Sequence, residues 1–133
     1  MNNELLHSSD FDQPTAVIRL TGKEVEKMLD KPFELYERTR AAWCASPAGK
    51  IAKTTLVLAV YHGTVREVYA VAGWFPSNDI MRLGLKTERR PRLAFVGNIA
   101  AESVRAKYVG HSIKGLFKKG AIGPVVTFGT GRA

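Results

Sequence analysis

The stretch from residue 56 to residue 72 constrains the fold more than any other part of the chain. Two apolar runs, Leu-Val-Leu-Ala-Val-Tyr and Thr-Val-Arg-Glu-Val-Tyr-Ala-Val-Ala, flank His62-Gly63, and that pattern predicts a β-hairpin with a two-residue turn in which glycine supplies a positive φ. The expected register pairs Val60 with Val65, Leu58 with Glu67 and Leu56 with Tyr69. One face then carries Leu56, Leu58, Val60, Val65, Tyr69 and Val71; the other carries Val57, Ala59, Tyr61, Val68 and Ala70. Both faces are apolar, so the hairpin is expected to be covered on both sides, as in a small, partly closed β-barrel with packed helices. Glu67 breaks the bulky face. A buried carboxylate needs a partner, and pairing with an arginine takes precedence over a catalytic role.

Around that hairpin, 133 residues with 45% apolar and 24% charged composition describe one α+β domain over residues 14–133, preceded by a flexible tail over 1–13. Thr-Ala-Val-Ile-Arg-Leu at 15–20 predicts a strand. Thr21-Gly22-Lys23-Glu24 matches a capping box opening a short helix with Val25, Met28 and Leu29 on one face. Pro32 starts a second helix, with Phe33, Tyr36, Arg40 and Trp43 on one side, ending near Ser46-Pro47-Ala48-Gly49. The polar stretch to Arg92, with Lys86-Thr87-Glu88-Arg89-Arg90-Pro91-Arg92, reads as a loop. A strand at 93–96, a helix at 101–108, a helix at 112–119 with Ile113, Leu116 and Phe117 inward and Gly120 as its cap, and a strand at 125–128 complete the expectation.

Charge separates along the sequence. Residues 1–66 hold nine Lys/Arg against eight Asp/Glu, whereas residues 67–133 hold eleven against four. Residues 80–119 alone carry ten against two, a net +8 equal to that of the whole chain. Such asymmetry points to an anionic partner: nucleic acid, a nucleotide or an acidic protein face. No run of about 20 apolar residues and no basic-then-apolar start is present, so neither a membrane partner nor a signal peptide is expected. The single Cys44 excludes an internal disulfide and fits a reducing, cytoplasmic setting; among Ala41, Ala42, Trp43 and Ala45 it reads as a small buried hydrophobe.

Motifs for the common enzyme classes are missing: no Walker-type phosphate loop, no G-x-S-x-G, no H-E-x-x-H and no paired Cys-x-x-Cys. No catalytic residue, metal or cofactor is assigned; Lys107, Tyr108 and His111 form the one cluster that an enzymatic reading would have to use. The favoured phosphate site is Lys107-Tyr108-Val109-Gly110-His111-Ser112 with Lys114, Lys118 and Lys119, because free N–H groups at a helix N-terminus favour an anion. Trp43 and Trp74, with Tyr61 and Tyr108, offer stacking faces for a base, and Arg40 and Arg92 offer contacts to phosphate. His62 reads as a tolerated turn residue.

The series Tyr36-Glu37-Arg38-Thr39-Arg40-Ala41-Ala42-Trp43, Leu58-Ala59-Val60-Tyr61-His62-Gly63-Thr64-Val65-Arg66-Glu67-Val68-Tyr69, Gly73-Trp74, Arg92-Leu93-Ala94-Phe95-Val96-Gly97 and Tyr108-Val109-Gly110-His111-Ser112 resembles the accessory domain that follows the nuclease domain in a group of GIY-YIG-type proteins, over residues 33–128. The resemblance implies a PUA-like module, a compact barrel with helices that holds RNA or a modified base, and binding rather than cleavage. No G-I-Y or Y-I-G motif occurs, so nuclease activity is not carried over. Gly120-Ala121-Ile122-Gly123-Pro124 stands where the family pattern has an Asn-Pro pair. An alternative use of such a domain is a phage- or mobile-element-encoded inhibitor of host defence that sequesters a nucleotide signal or docks on an acidic surface of a defence protein.

Overall fold

A computed structural model describes residues 4–40, 43–44, 50–76, 92–116 and 125–129, with the backbone alone at positions 43, 44 and 92. Its strands are β1 (Thr15–Leu20), β2 (Trp43–Cys44), β3 (Leu56–Tyr61), β4 (Thr64–Pro76), β5 (Arg92–Ile99) and β6 (Val125–Phe128), and its helices are α1 (Lys23–Glu26), α2 (Pro32–Arg40) and α3 (Glu102–Tyr108). They build one mixed sheet in the order β2-β5-β4-β3-β1-β6. Among these neighbours the pair β1–β3 is parallel and the others are antiparallel. The α+β class is thereby established. Among the described residues the sheet ends at β2 on one side and β6 on the other, with no pairing that closes it.

Every residue of β3 is buried, as its two-sided apolar pattern requires. Beneath one face, Ala16, Ile18, Val57, Ala59, Tyr61, Tyr69 and Phe95 pack with Val25 of α1 and Leu35 of α2. The opposite face sets Val17, Leu56, Leu58, Val60, Val65 and Val68 against Tyr108 of α3, Ile113 and Leu6. The middle of the sheet around β3 is therefore covered on both sides.

The turn forms as its sequence demands, with φ +51° at His62 and +76° at Gly63, the two left-handed residues of a type I′ hairpin. The register departs from expectation one step later. Val60 pairs with Val65, but Ala59 then pairs with Glu67, Leu58 with Val68 and Val57 with Tyr69. Arg66 is the extra residue of a β-bulge, its Nε donating to the Tyr61 carbonyl at 3.3 Å. One inserted residue exchanges the faces of everything beyond it, so Val68 joins the Leu58 side and Tyr69 the Ala59 side. A second shift lies between Val71 and Gly73 in the β4–β5 pairing. β4 also runs on to Pro76, four residues past its expected end.

Other departures have local causes. The α1 N-cap is Gly22 at φ +107°, with no side-chain capping bond: the Thr21 hydroxyl lies one residue too early to serve. Phe33, expected on one side of α2 with Tyr36 and Arg40, is 73% exposed, and Leu35 and Thr39 take the buried face. α2 stops at Arg40, and Trp43–Cys44 pairs with Leu93 and Arg92 rather than extending the helix; the expected helix end at 46–49 lies outside the described residues. The presumed tail is ordered from Glu4 onward. Leu6 is buried, and the Phe11 ring stacks on Tyr108 at 5.6 Å and on Phe128 at 4.9 Å.

Candidate basic depression at the hairpin tip

The segment expected to begin a helix at Ser112 is instead a strap of extended chain. Ser112 bridges Leu5 on one side and Thr64 on the other. Its N–H donates to the Glu4 carbonyl at 2.9 Å and its carbonyl accepts from Leu6 N–H at 2.8 Å. Alongside, Gly110 N–H donates to Val65, Val65 N–H to His111, and Ile113 N–H to Gly63, at 2.9, 3.0 and 2.9 Å. These bonds use the backbone groups that a helix start would need. The Ser112 Oγ accepts the Lys114 N–H at 3.1 Å, a local serine turn that competes with helix. Only a turn follows through Leu116. The anion site at a helix N-terminus is thereby corrected, because no helix begins there; the expected Phe117, Lys118, Lys119 and Gly120 positions lie outside the described residues.

What the strap creates is an open depression of about 650 Å³ between itself, the hairpin tip and the end of β1. It is lined by Leu5, Arg19, His62, Gly63, Thr64, Ser112, Ile113 and Lys114. Strand alternation explains Arg19: Ile18 and Leu20 enter the first core, so Arg19 shares the opposite face with Val17 and emerges beside Ile113. Lys114 is exposed and makes no ion pair with a described carboxylate. Arg19, His62, Thr64, Ser112 and Lys114 thus line one concavity together with the apolar Leu5 and Ile113.

Of the expected binding residues, Ser112 and Lys114 line this depression. His111 lies one residue behind it, its Nε2 4.0 Å from a Glu4 carboxylate oxygen and its Nδ1 buried without a hydrogen bond. The others have structural work. Arg40 is a latch, its Nε donating to the Phe95 carbonyl at 3.1 Å while its guanidinium sits over the Tyr36 ring. Trp74 Nε1–H donates to the Thr54 carbonyl at 3.1 Å, and its ring tilts against Phe95. Lys107 pairs with Asp12 at 3.4 Å and overlies the Tyr108 ring. Burial works to lower the Lys107 ammonium, but Tyr108 and Asp12 outweigh it and hold it above its ordinary range. Tyr108 is 1% exposed, its hydroxyl donating to the Asp10 carbonyl at 3.2 Å. Arg92 and Trp43 sit in the β2–β5 pairing at the sheet's edge.

The expected aromatic platform does not assemble. Tyr61 and Trp74 belong to the core on one face of the sheet and Tyr108 to the core on the other, so the sheet itself separates them. Arg19 and Thr64 line the depression without having been singled out from the sequence, and His62 does so although read there as a turn residue. The usable signal was Arg19, the one charged residue in an otherwise apolar strand. Among the described residues, no three His, Cys, Asp or Glu side chains converge on a metal position, and no helix is long and apolar enough to cross a membrane.

Comparison of the chain with protein-family models, with curated proteins and with solved structures finds no match.

Proposed function

We propose that this chain is a non-catalytic binding module for a phosphate-bearing ligand, a nucleic acid, modified base or nucleotide, held at the depression beside the hairpin tip. One observation carries it: Arg19, His62, Thr64, Ser112 and Lys114 line a concavity of about 650 Å³, a size suited to a small ligand. Its walls are tied together by backbone hydrogen bonds between the strap and the start of β4, so little ordering is needed on binding. The formal charge of +8 adds long-range attraction for anions.

A PUA-like barrel is the architecture proposed with it, supported by the covered faces of β3 and by the two bulges of β4, which curve a sheet. A cytoplasmic setting belongs to the same proposal and rests on the single cysteine.

The test is anisotropy of a dye-labelled single-stranded oligonucleotide across a salt series. Affinity is expected to fall with a log–log slope of about −0.7 per neutralised phosphate. Binding that ignores salt, or no binding at low salt, contradicts the proposal.

A further inference from the structure

We infer that residues 7–12 form a flap that stands in for a nucleotide, covering a second surface for single-stranded nucleic acid on α3 and β6, and that a strand binds there by displacing it. This goes beyond the depression at the hairpin tip and uses different residues.

Charge divides between the start of the chain and the rest. Residues 1–13 hold Glu4, Asp10 and Asp12 and no lysine or arginine, a net −3, whereas residues 14–133 hold all twenty Lys/Arg against nine Asp/Glu, a net +11. The acidic segment lies on the basic body. Asp12 Oδ2 is 3.4 Å from Lys107 Nζ, and a Glu4 carboxylate oxygen is 4.0 Å from His111 Nε2.

The contacts are those a nucleotide makes. The Phe11 ring is stacked on Tyr108 at 5.6 Å with 13° between the planes, and on Phe128 at 4.9 Å with 11°, as an unpaired base stacks on aromatic side chains. The next residue, Asp12, sets its carboxylate on Lys107, whose ammonium also overlies the Tyr108 ring at 5.3 Å. A phosphate attached to a stacked base takes such a cation. Phe11 alone would be ordinary packing; the anion beside it, on the cation that overlies the same ring, is what makes the pair nucleotide-like.

The flap can leave while the fold stays. Before it, Leu6 is 2% exposed and its N–H donates to the Ser112 carbonyl. After it, Gln13 Nε2 donates to Thr55 Oγ1 at 2.7 Å, and the Pro14 carbonyl accepts the Thr55 N–H at 2.9 Å. Between these anchors His7, Ser8, Ser9 and Asp12 are exposed, and the amides of His7, Asp10 and Phe11 bond to groups of the flap itself. The flap is held to the body by the Phe11 stack, by the Tyr108 hydroxyl on the Asp10 carbonyl at 3.2 Å, and by an ion pair whose Asp12 is 77% exposed. An exposed pair of that kind holds weakly, and a segment with so few buried contacts opens locally without global unfolding.

The experiment measures, by anisotropy, binding of a dye-labelled single-stranded hexanucleotide to the wild-type protein and to the double variant Phe11→Ala plus Asp12→Asn. The same double variant is also tested with Lys107→Glu or with Lys53→Glu added. Lys53 is exposed just ahead of β3, at the far end of that strand from the turn. The double variant is expected to bind about tenfold tighter than the wild type. Lys107→Glu should cancel that gain and Lys53→Glu leave it intact. Unchanged or weaker binding by a folded double variant overturns the inference, as does a gain that Lys53→Glu cancels equally. Hydrogen exchange of the wild-type protein gives a second reading that needs no variant: saturating hexanucleotide should speed exchange at the Asp10 and Phe11 amides and not at Leu6, and unchanged or slower exchange at those two overturns the inference. A synthetic peptide of residues 4–12 that binds the double variant while the hexanucleotide gains nothing assigns the surface to an acidic protein segment instead. Wild-type binding that Lys114→Glu weakens keeps the reading of the depression even where the flap inference fails, whereas no binding by either the wild type or the double variant at low salt removes both.

Discussion

Arg105 Nε donates a 2.6 Å hydrogen bond to Glu67 Oε1, while its Nη2 reaches Oε2 of the same carboxylate at 3.3 Å. The pair ties α3 to the bulged part of β4, with Glu67 13% exposed. Hydrogen bonding to Glu67, and its charge, hold the guanidinium above its usual range. Glu67→Ala is expected to cost about 1–3 kcal/mol, since it leaves a half-buried arginine with its second partner only. Glu102 is 77% exposed, and Glu102→Ala should cost under about 1 kcal/mol. Urea denaturation of the two variants reads the difference directly.

Leu6, ahead of the first strand, is part of the fold. Leu6 is 2% exposed in the core that also holds Tyr108 and Ile113, and its amide is bonded to Ser112. Leu6→Ala should destabilise by about 2–5 kcal/mol, the range for a buried leucine truncation. Thermal melting checks it; a cost below about 0.5 kcal/mol, typical of surface substitutions, would return residues 4–13 to the status of a tail.

Gly97 of β5 pairs with Val71 of β4. A Cβ there would run into the Ala70 carbonyl oxygen, and the Gly97 N–H donates to the Tyr36 hydroxyl at 3.0 Å. Gly97→Ala must push the strands apart, at a cost of about 1–3 kcal/mol or more. Gly63→Ala makes the contrast: nothing lies within 4 Å of its Cβ position, so its cost of about 1 kcal/mol comes from the positive φ alone. Denaturant midpoints of the two variants should rank in that order.

Alkaline pH should unfold the protein through its buried phenols. Burial raises Tyr69, with Glu67 adding to it, and burial likewise raises Tyr108 against the opposing charge of Lys107. Both folded-state values lie above the unfolded value of about 10, so the stability they contribute is complete below about pH 10 and is lost as pH rises through the folded values. Phenolate absorbance and circular dichroism, followed together, should show these two tyrosines ionising only as the sheet melts.

How much of this was legible beforehand depended on whether the signal was local. β1, β6, the type I′ turn and the proline that opens α2 follow from residue patterns a few positions wide, and each lies where those patterns put it. Glu67 announced its need for an arginine because a carboxylate on an apolar strand has few other solutions. The bulge at Arg66 was signalled only indirectly: Val65 and Val68, three residues apart, enter the same core, and without the extra residue Glu67 falls on the apolar face. Ser112 was misread for a different reason. Its helix was lost to backbone bonds between residues 110–113 and Glu4, Leu6, Gly63 and Val65, which are distant in sequence, and that non-local competition is why the proposed anion site moves from a helix end to the hairpin tip. The aromatic residues misled because composition counts rings without saying which face of a sheet each one enters.

The central claim is that anions are bound at the depression rather than by diffuse positive charge. Titration of a labelled single-stranded oligonucleotide against wild-type, Lys114→Glu and Lys53→Glu proteins at several salt concentrations tests it most directly. Both substitutions change the net charge equally at exposed lysines, so both should leave the melting temperature nearly unchanged. The account predicts that Lys114→Glu lowers affinity about tenfold or more and flattens the salt slope by about one phosphate's worth, while Lys53→Glu binds as the wild type does. Equal weakening by the two substitutions would contradict it.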